Sequence, residues 1–181
     1  LSVPVLIWLD RKHPFSTFSL FLLTLFMSLH VLGSHWTYNN VPGPWQKAGE
    51  SPIDQFFSIG VGGGRNYFDR IVHFGYGLLL GPVAVEVLLA WGFVKHKGTA
   101  WLLVVLGVLA TSAVYEIIEM VTAVLVDPAA ADAFLGQQGD QFDSVKDMTM
   151  AWIGSLVASA VAFLVFFASR RSARALAAEH E

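Results

Sequence analysis

The chain has 181 residues, of which 55% are hydrophobic and only 14% charged, with a formal net charge of −3. Water-soluble domains carry about 25% charged residues, so this composition excludes an ordinary soluble fold, and the charge gives no signal for nucleic acid as a partner. The absence of cysteine excludes a disulfide framework and a thiolate metal site.

In chain order, residues 3–9 form an apolar stub, too short to cross a bilayer and without the charged lead of a signal peptide. It reads as the last turns of an earlier helix. Four longer apolar runs follow, at about 15–33, 67–93, 99–126 and 147–168. Each approaches or exceeds the ~20 residues needed to span hydrocarbon. The expected fold is therefore an all-α integral membrane protein, a helical bundle with at least four transmembrane helices. Short connections make residues 1–181 one membrane domain in contact with the lipid bilayer.

Lysine and arginine set the expected orientation. Arg11 and Lys12 precede the first run, Lys95 and Lys97 separate the second and third, and Arg170, Arg171 and Arg174 follow the fourth. This places the C-terminus of a multi-pass protein on the cytoplasmic side, and the resemblance given below implies a bacterial inner membrane. The opposite side is acidic. Trp91 and Trp101 would flank the inner loop, and Trp36, Tyr38, Trp45 and Tyr67 the outer boundary, as an aromatic belt. The long first outer loop, 34–66, contains an apolar stretch at 53–61 suited to the interface or to a re-entrant piece. Gly62-Gly63-Gly64 then makes a hinge or tight turn.

Ionisable groups inside these runs carry the functional information, because they cost several kcal/mol at membrane depth unless paired, hydrated or ligated. Asp69 and His73 are four residues apart and share a helix face, as do Asp143 and Asp147. Glu116 and Glu119, three apart, share another. At 1.5 Å per residue, His73 and Glu119 lie ~10 Å and Glu116 ~15 Å below the outer ends of their helices. One outward-facing pocket can thus collect all six, with His30 and His35 as a fourth wall and Tyr38, Arg70, Tyr115 and Asp140 in support. Helix capping is the bland alternative for Asp143 and Asp147, and a pair with Arg70 for one glutamate. Nearby Arg65, Arg70 and Lys146 are too few for all the acids, so protonation, water or a bound cation must complete the balance.

Several motifs resemble the YjdF-type family of bacterial inner membrane proteins. They are Gly33-Ser34-His35-Trp36-Thr37-Tyr38, Val41-Pro42, Arg65-Asn66-Tyr67-Phe68-Asp69-Arg70 with His73-Phe74, and Tyr115-Glu116-Ile117-Ile118-Glu119. Phe134-Leu135-Gly136-Gln137-Gln138-Gly139-Asp140, Asp143-Ser144 and Asp147-Met148 complete them. A more distant likeness is to VanZ-like membrane proteins. The resemblance implies a helical membrane protein and supports the choice of residues, but the family is a domain of unknown function and names no reaction. Trp36, where the family usually has Tyr, and Val145-Lys146 depart from its pattern, and relatives carry more hydrophobic sequence before the position of Leu1.

Three readings follow. In the first, the pocket is a metal-dependent or acid–base site at the outer membrane face. Asp69, His73, Glu116, Glu119, Asp143 and Asp147 would hold a divalent metal. His73 would be ligand or proton shuttle, the glutamates ligands or general base, and Asp69 the group orienting His73. In the second, the chain is a non-catalytic accessory subunit of a larger membrane assembly and the cluster is structural. The small-residue faces Gly77/Gly81 and Gly154/Ala158 suit close helix packing in either case. In the third, Glu116 and Glu119 relay protons or cations, although Glu86 is the one acid in the inner half that could continue a path.

Overall fold

A computed structural model describes residues 2–38, 40–43, 66–125, 140 and 142–178. They form five helices: α1 (Ser2–Lys12), α2 (Thr17–His35), α3 (Phe68–Ala90), α4 (Lys97–Leu125) and α5 (Asp143–Ala178). Helices α2 to α5 are each long and apolar enough to cross a membrane. The expected loop features at 53–61 and Gly62–64, and Arg65, Trp45 and 127–139, lie outside the described residues.

Helix α3 is the hub. It packs against α2, α4 and α5, most extensively against α5, whereas α2 and α4 have little contact with each other. The α3–α5 crossing is close because it is built from glycine. A Cβ on Gly77 would run into the Ala151 carbonyl oxygen and come within 2.6 Å of the Ser155 nitrogen. One on Gly154 would strike the Phe74 carbonyl and approach the Leu78 nitrogen at 2.9 Å. The small residues singled out in the sequence therefore bring two backbones together inside the bundle.

Buried Val85, Trp101, Val104, Val108, Ala151 and Ala158 join α3, α4 and α5. Phe15, Leu22 and Val83 join α2 to α3, with Leu6 and Leu9 of α1 against them. Trp101, expected in an interfacial belt, is instead 8% exposed and packs over Gly81. Gly81 leaves a hollow that a large ring fills. Trp91 does remain at the helix end, edge-on to Trp8 at 5.2 Å. The outward faces are apolar, with Phe18, Phe21, Leu106 and Phe167 well exposed, as lipid contact requires.

Helix ends are set by local chemistry. Ser16 caps α2 by accepting from the Ser19 N–H. Glu86, from the far end of α3, accepts from the Ser16 N–H at 2.7 Å and from the Ser16 and Ser19 hydroxyls at 2.5 and 2.7 Å. This acid thus tethers α3 to the start of α2. Asn66 prepares α3, its Oδ1 accepting from the Phe68 N–H while its Nδ2 donates to the Val41 carbonyl. Helix α5 starts at Asp143 and ends at Ala178, four residues before and ten after the apolar run at 147–168.

Connectivity gathers the starts of α3 and α5 and the ends of α2 and α4 at one pole, with Asp69, Asp140, Asp143 and Asp147. The other pole has Arg11, Lys12, Lys95, Lys97, Arg170 and Arg171.

Candidate functional site

The acids at the acidic pole divide into two adjoining sets, one about Arg70 and one about His73, three residues apart on α3. The first surrounds Arg70, whose side chain is almost fully buried. Its Nη2 donates to Asp140 Oδ2 at 2.7 Å and to Asp143 Oδ1 at 3.0 Å, and its Nη1 to Asp147 Oδ1 at 3.3 Å. Lys146 Nζ donates to the same Asp140 oxygen at 2.7 Å. Burial disfavours the Asp140 carboxylate. Hydrogen bonds from Lys146 and the Phe142 N–H, with the charges of Lys146 and Arg70, overcome this and hold its pKa below the usual carboxylate range. Asp143 and Asp147 therefore do more than cap α5: one turn apart on its first face, they bind α5 to α3 through a shared guanidinium.

The second set surrounds His73. Its Nε2 is 3.7 Å from Asp69 Oδ1 and 3.8 Å from Glu116 Oε1. Both separations exceed hydrogen-bond length, so Asp69 does not orient the imidazole by a direct hydrogen bond. Ligand atoms of Asp69, His73 and Asp147 all lie within 4.8 Å of one another. Glu116 is 6% exposed and its Oε1 has no hydrogen-bond partner among the described residues. Asp147 touches both sets, since its carboxylate also pairs with Arg70.

In front of His73 lies a cavity of about 410 Å³ between α2 and α4, floored by α3. Asp69, His73 and Glu119 are on its wall, with His30, Tyr38 and Tyr115. The Tyr115 ring meets His73 edge-on at 6.1 Å. Tyr38 reaches the cavity through a tight turn after α2, in which Thr37 and Tyr38 adopt φ of 53° and 52°. Left-handed backbone at two successive non-glycine residues costs of order 1–3 kcal/mol each. It folds the Tyr38 ring back against Gly33, where a Cβ would collide with it, and places its hydroxyl 2.7 Å from His30 Nδ1. Burial raises the Tyr38 pKa above its ordinary value, so the phenol stays protonated.

His35 is not in this cavity. Five residues beyond His30, it points about 140° away around the helix. It stacks edge-on with Trp36 at 5.1 Å and lines a separate hollow between α1 and α2. The sequence reading also overlooked Ser112, Tyr76 and Thr111, which line the cavity. Ser112 precedes Glu116 by four residues and Tyr76 follows His73 by three, so helical periodicity held the signal. Ser112 is 3% exposed and its hydroxyl has no hydrogen-bond partner among the described residues.

Spanning helices, apolar outer faces and a polar cavity within the spans define a multi-pass helical membrane protein. The family described as "Predicted membrane protein (DUF2238)" matches residues 1–168, and the chain belongs to it. The chain is similar to the inner membrane protein YjdF of Escherichia coli (strain K12), with 33% identity over 174 residues. That alignment covers 96% of this chain and 77% of the relative. The more distant VanZ likeness finds no support in these comparisons, and no solved structure matches the chain.

Proposed function

We propose that this chain is an inner membrane protein whose acidic pole faces away from the cytoplasm and holds a divalent cation for metal-assisted acid–base chemistry. The basic residues at the opposite pole support this orientation, with the C-terminus in the cytoplasm. The name of the E. coli relative supports the membrane.

The carrying observation is the spacing around His73. Donor atoms held 3.7–3.8 Å apart are too far for hydrogen bonds. They are close to the roughly 3.4 Å separation that ~2.1 Å bonds impose on a tetrahedral site. Asp69, His73 and Asp147 are the ligand set, with the unpartnered Glu116 oxygen beside it. Two or three carboxylates and one imidazole suit Zn²⁺, Mn²⁺ or Fe²⁺. A bound cation of this kind lowers the pKa of a coordinated water and polarises a substrate oxygen. Glu119, on the cavity wall, is placed to exchange a proton with a molecule in the cavity, and the Tyr38–His30 pair offers a hydrogen bond at the rim.

Metal analysis of the purified chain tests this reading. About one equivalent of metal is expected after reloading with Zn²⁺ or Mn²⁺. It should be lost in His73→Ala and Glu116→Gln while both variants remain monodisperse. Failure of the wild type to retain either ion after reloading overturns the proposal.

One observation favours a structural role for part of the acidic set, and hence an accessory function within a larger assembly. Arg70 and Lys146 engage Asp140, Asp143 and Asp147 in a buried network that holds α3 to α5. Purification at fixed stoichiometry with other membrane subunits would support that reading. A proton path has less support, because Glu86 is taken up by Ser16 and Ser19.

A further inference from the structure

We infer that the cavity between α2 and α4 admits a membrane lipid with an uncharged, oxygen-rich headgroup, of the glycerol-ester class, entering sideways from the bilayer. The inference rests on the metal reading for the charge of the headgroup and on the shape of the bundle for the route.

The route comes from packing. Helices α2 and α4 both lean on α3 but have little contact with each other, and α5 contributes nothing to the cavity wall among the described residues. The cleft runs from Tyr38 at the rim to Thr111. Thr111 is ~21 Å from the end of α4 at Leu125, deeper than half of a ~30 Å hydrocarbon layer. Its floor is aromatic, with Phe26 against His30 at 6.2 Å and against Tyr76 at 6.1 Å. An aqueous solute would have to descend to that depth from the rim, whereas an acyl chain lies there already.

The headgroup class comes from the wall. Among the described lining residues there is no lysine or arginine, while Asp69 and Glu119 are present. A phosphate would face Glu119 without a cationic side chain to receive it, because a divalent ion on Asp69, His73 and Asp147 has its charge balanced by the two aspartates. A cation on Asp69, His73 and Asp147 removes the need for a cationic headgroup. The remaining wall offers hydroxyls from Tyr38, Tyr115, Ser34 and Thr37, which suit carbonyl and hydroxyl oxygens.

One buried atom sharpens this. Helical hydroxyls in this protein commonly return a hydrogen bond to their own helix, as those of Thr24, Ser28, Thr111 and Thr122 do. Ser112 Oγ, on the cavity wall, makes none among the described residues. Leaving a buried hydroxyl unsatisfied is costly. A headgroup hydroxyl or carbonyl oxygen offers it a partner.

The test uses the full chain in proteoliposomes with three photoreactive probes carrying the same diazirine-labelled acyl chain. These are a diacylglycerol, a phosphatidic acid and an alkyl trimethylammonium amphiphile, with metal content measured in parallel. The diacylglycerol should label α2 and α4, be displaced by unlabelled diacylglycerol, and exceed phosphatidic acid by about tenfold. Thr111→Trp, which fills the cleft, should cut labelling by a similar factor. Leu103→Trp, elsewhere on the exposed face of α4, should leave it unchanged. Labelling indifferent to Thr111→Trp in a monodisperse variant overturns the route. Preference for the ammonium or phosphate probe overturns the headgroup assignment. Diacylglycerol labelling that persists in a protein unable to bind metal sustains the lipid site while removing the metal reading.

Discussion

Arg70 and His73 stand three residues apart on α3, and each gathers acids from α5, α4 or its own helix. Around Arg70 the ions are in direct contact: three aspartates meet a guanidinium and a lysine at 2.7–3.3 Å, and only Arg70 Nε is left without a hydrogen-bond partner among the described residues of that set. Around His73, carboxylate oxygens stand off at 3.7 and 3.8 Å, and one glutamate oxygen has no hydrogen-bond partner among the described residues. A set closed by direct ion contacts fixes a structure. A set held slightly too far apart is arranged around something else.

This contrast can be broken most forcefully at Arg70. Arg70→Met leaves three buried carboxylates without their shared cation. It should destabilise the bundle by about 3–5 kcal/mol, the usual cost of removing one partner from a buried ion network. Thermal unfolding followed by tryptophan fluorescence in detergent reads it directly, and a variant as stable as wild type would remove the structural role of the Arg70 set. Gly33→Ala should come next, at about 1–3 kcal/mol, because its methyl displaces the Tyr38 ring. The signature is loss of the Tyr38–His30 hydrogen bond, visible as a changed His30 signal in an NMR titration.

Acidification should separate the sets by pH. The Asp140 pKa is held below its unfolded value, so its stabilisation is complete above the ordinary carboxylate value of ~3.9. It is lost only as pH falls through the lowered, folded value. The melting temperature should thus keep the Asp140 contribution at pH 5, with Asp140→Asn as the reference. If the variant and wild type respond alike down to pH 3, Asp140 is not the group responsible. The smallest effect belongs to the His73 side. Ser112→Ala removes a buried hydroxyl that makes no hydrogen bond among the described residues, and should change stability by less than ~1 kcal/mol or raise it slightly. A large loss in a thermal melt would mean that the hydroxyl has a partner after all.

The helices were legible because spanning length and hydropathy are properties of the chain itself. Their ends were less so. Hydropathy recognises only the apolar stretch of α5, yet the helix continues through Ser169–Ser172 and beyond, where alanine and arginine favour helix without favouring lipid. The pairs Asp69/His73, Glu116/Glu119 and Asp143/Asp147 could be placed on common faces from spacing alone. The cation each acid meets depends on how every helix is rotated about its axis and where it crosses α3, and no local pattern encodes that. Hence Asp143 and Asp147 were grouped with His73 although Arg70 receives them, and Asp147 proves to serve both sets. His35 was misplaced for the opposite reason, since its spacing from His30 already argued against a shared face.

Because Gly77 and Gly154 bring the backbones of α3 and α5 into contact, those two helices form the stator of the bundle, with no side-chain cushion to slide on. Any breathing that widens the cleft must fall chiefly to α2, which leans on α3, since α4 packs on both α3 and α5. A spin label pair across α2 and α4 should therefore register a broader distance distribution than one across α3 and α5.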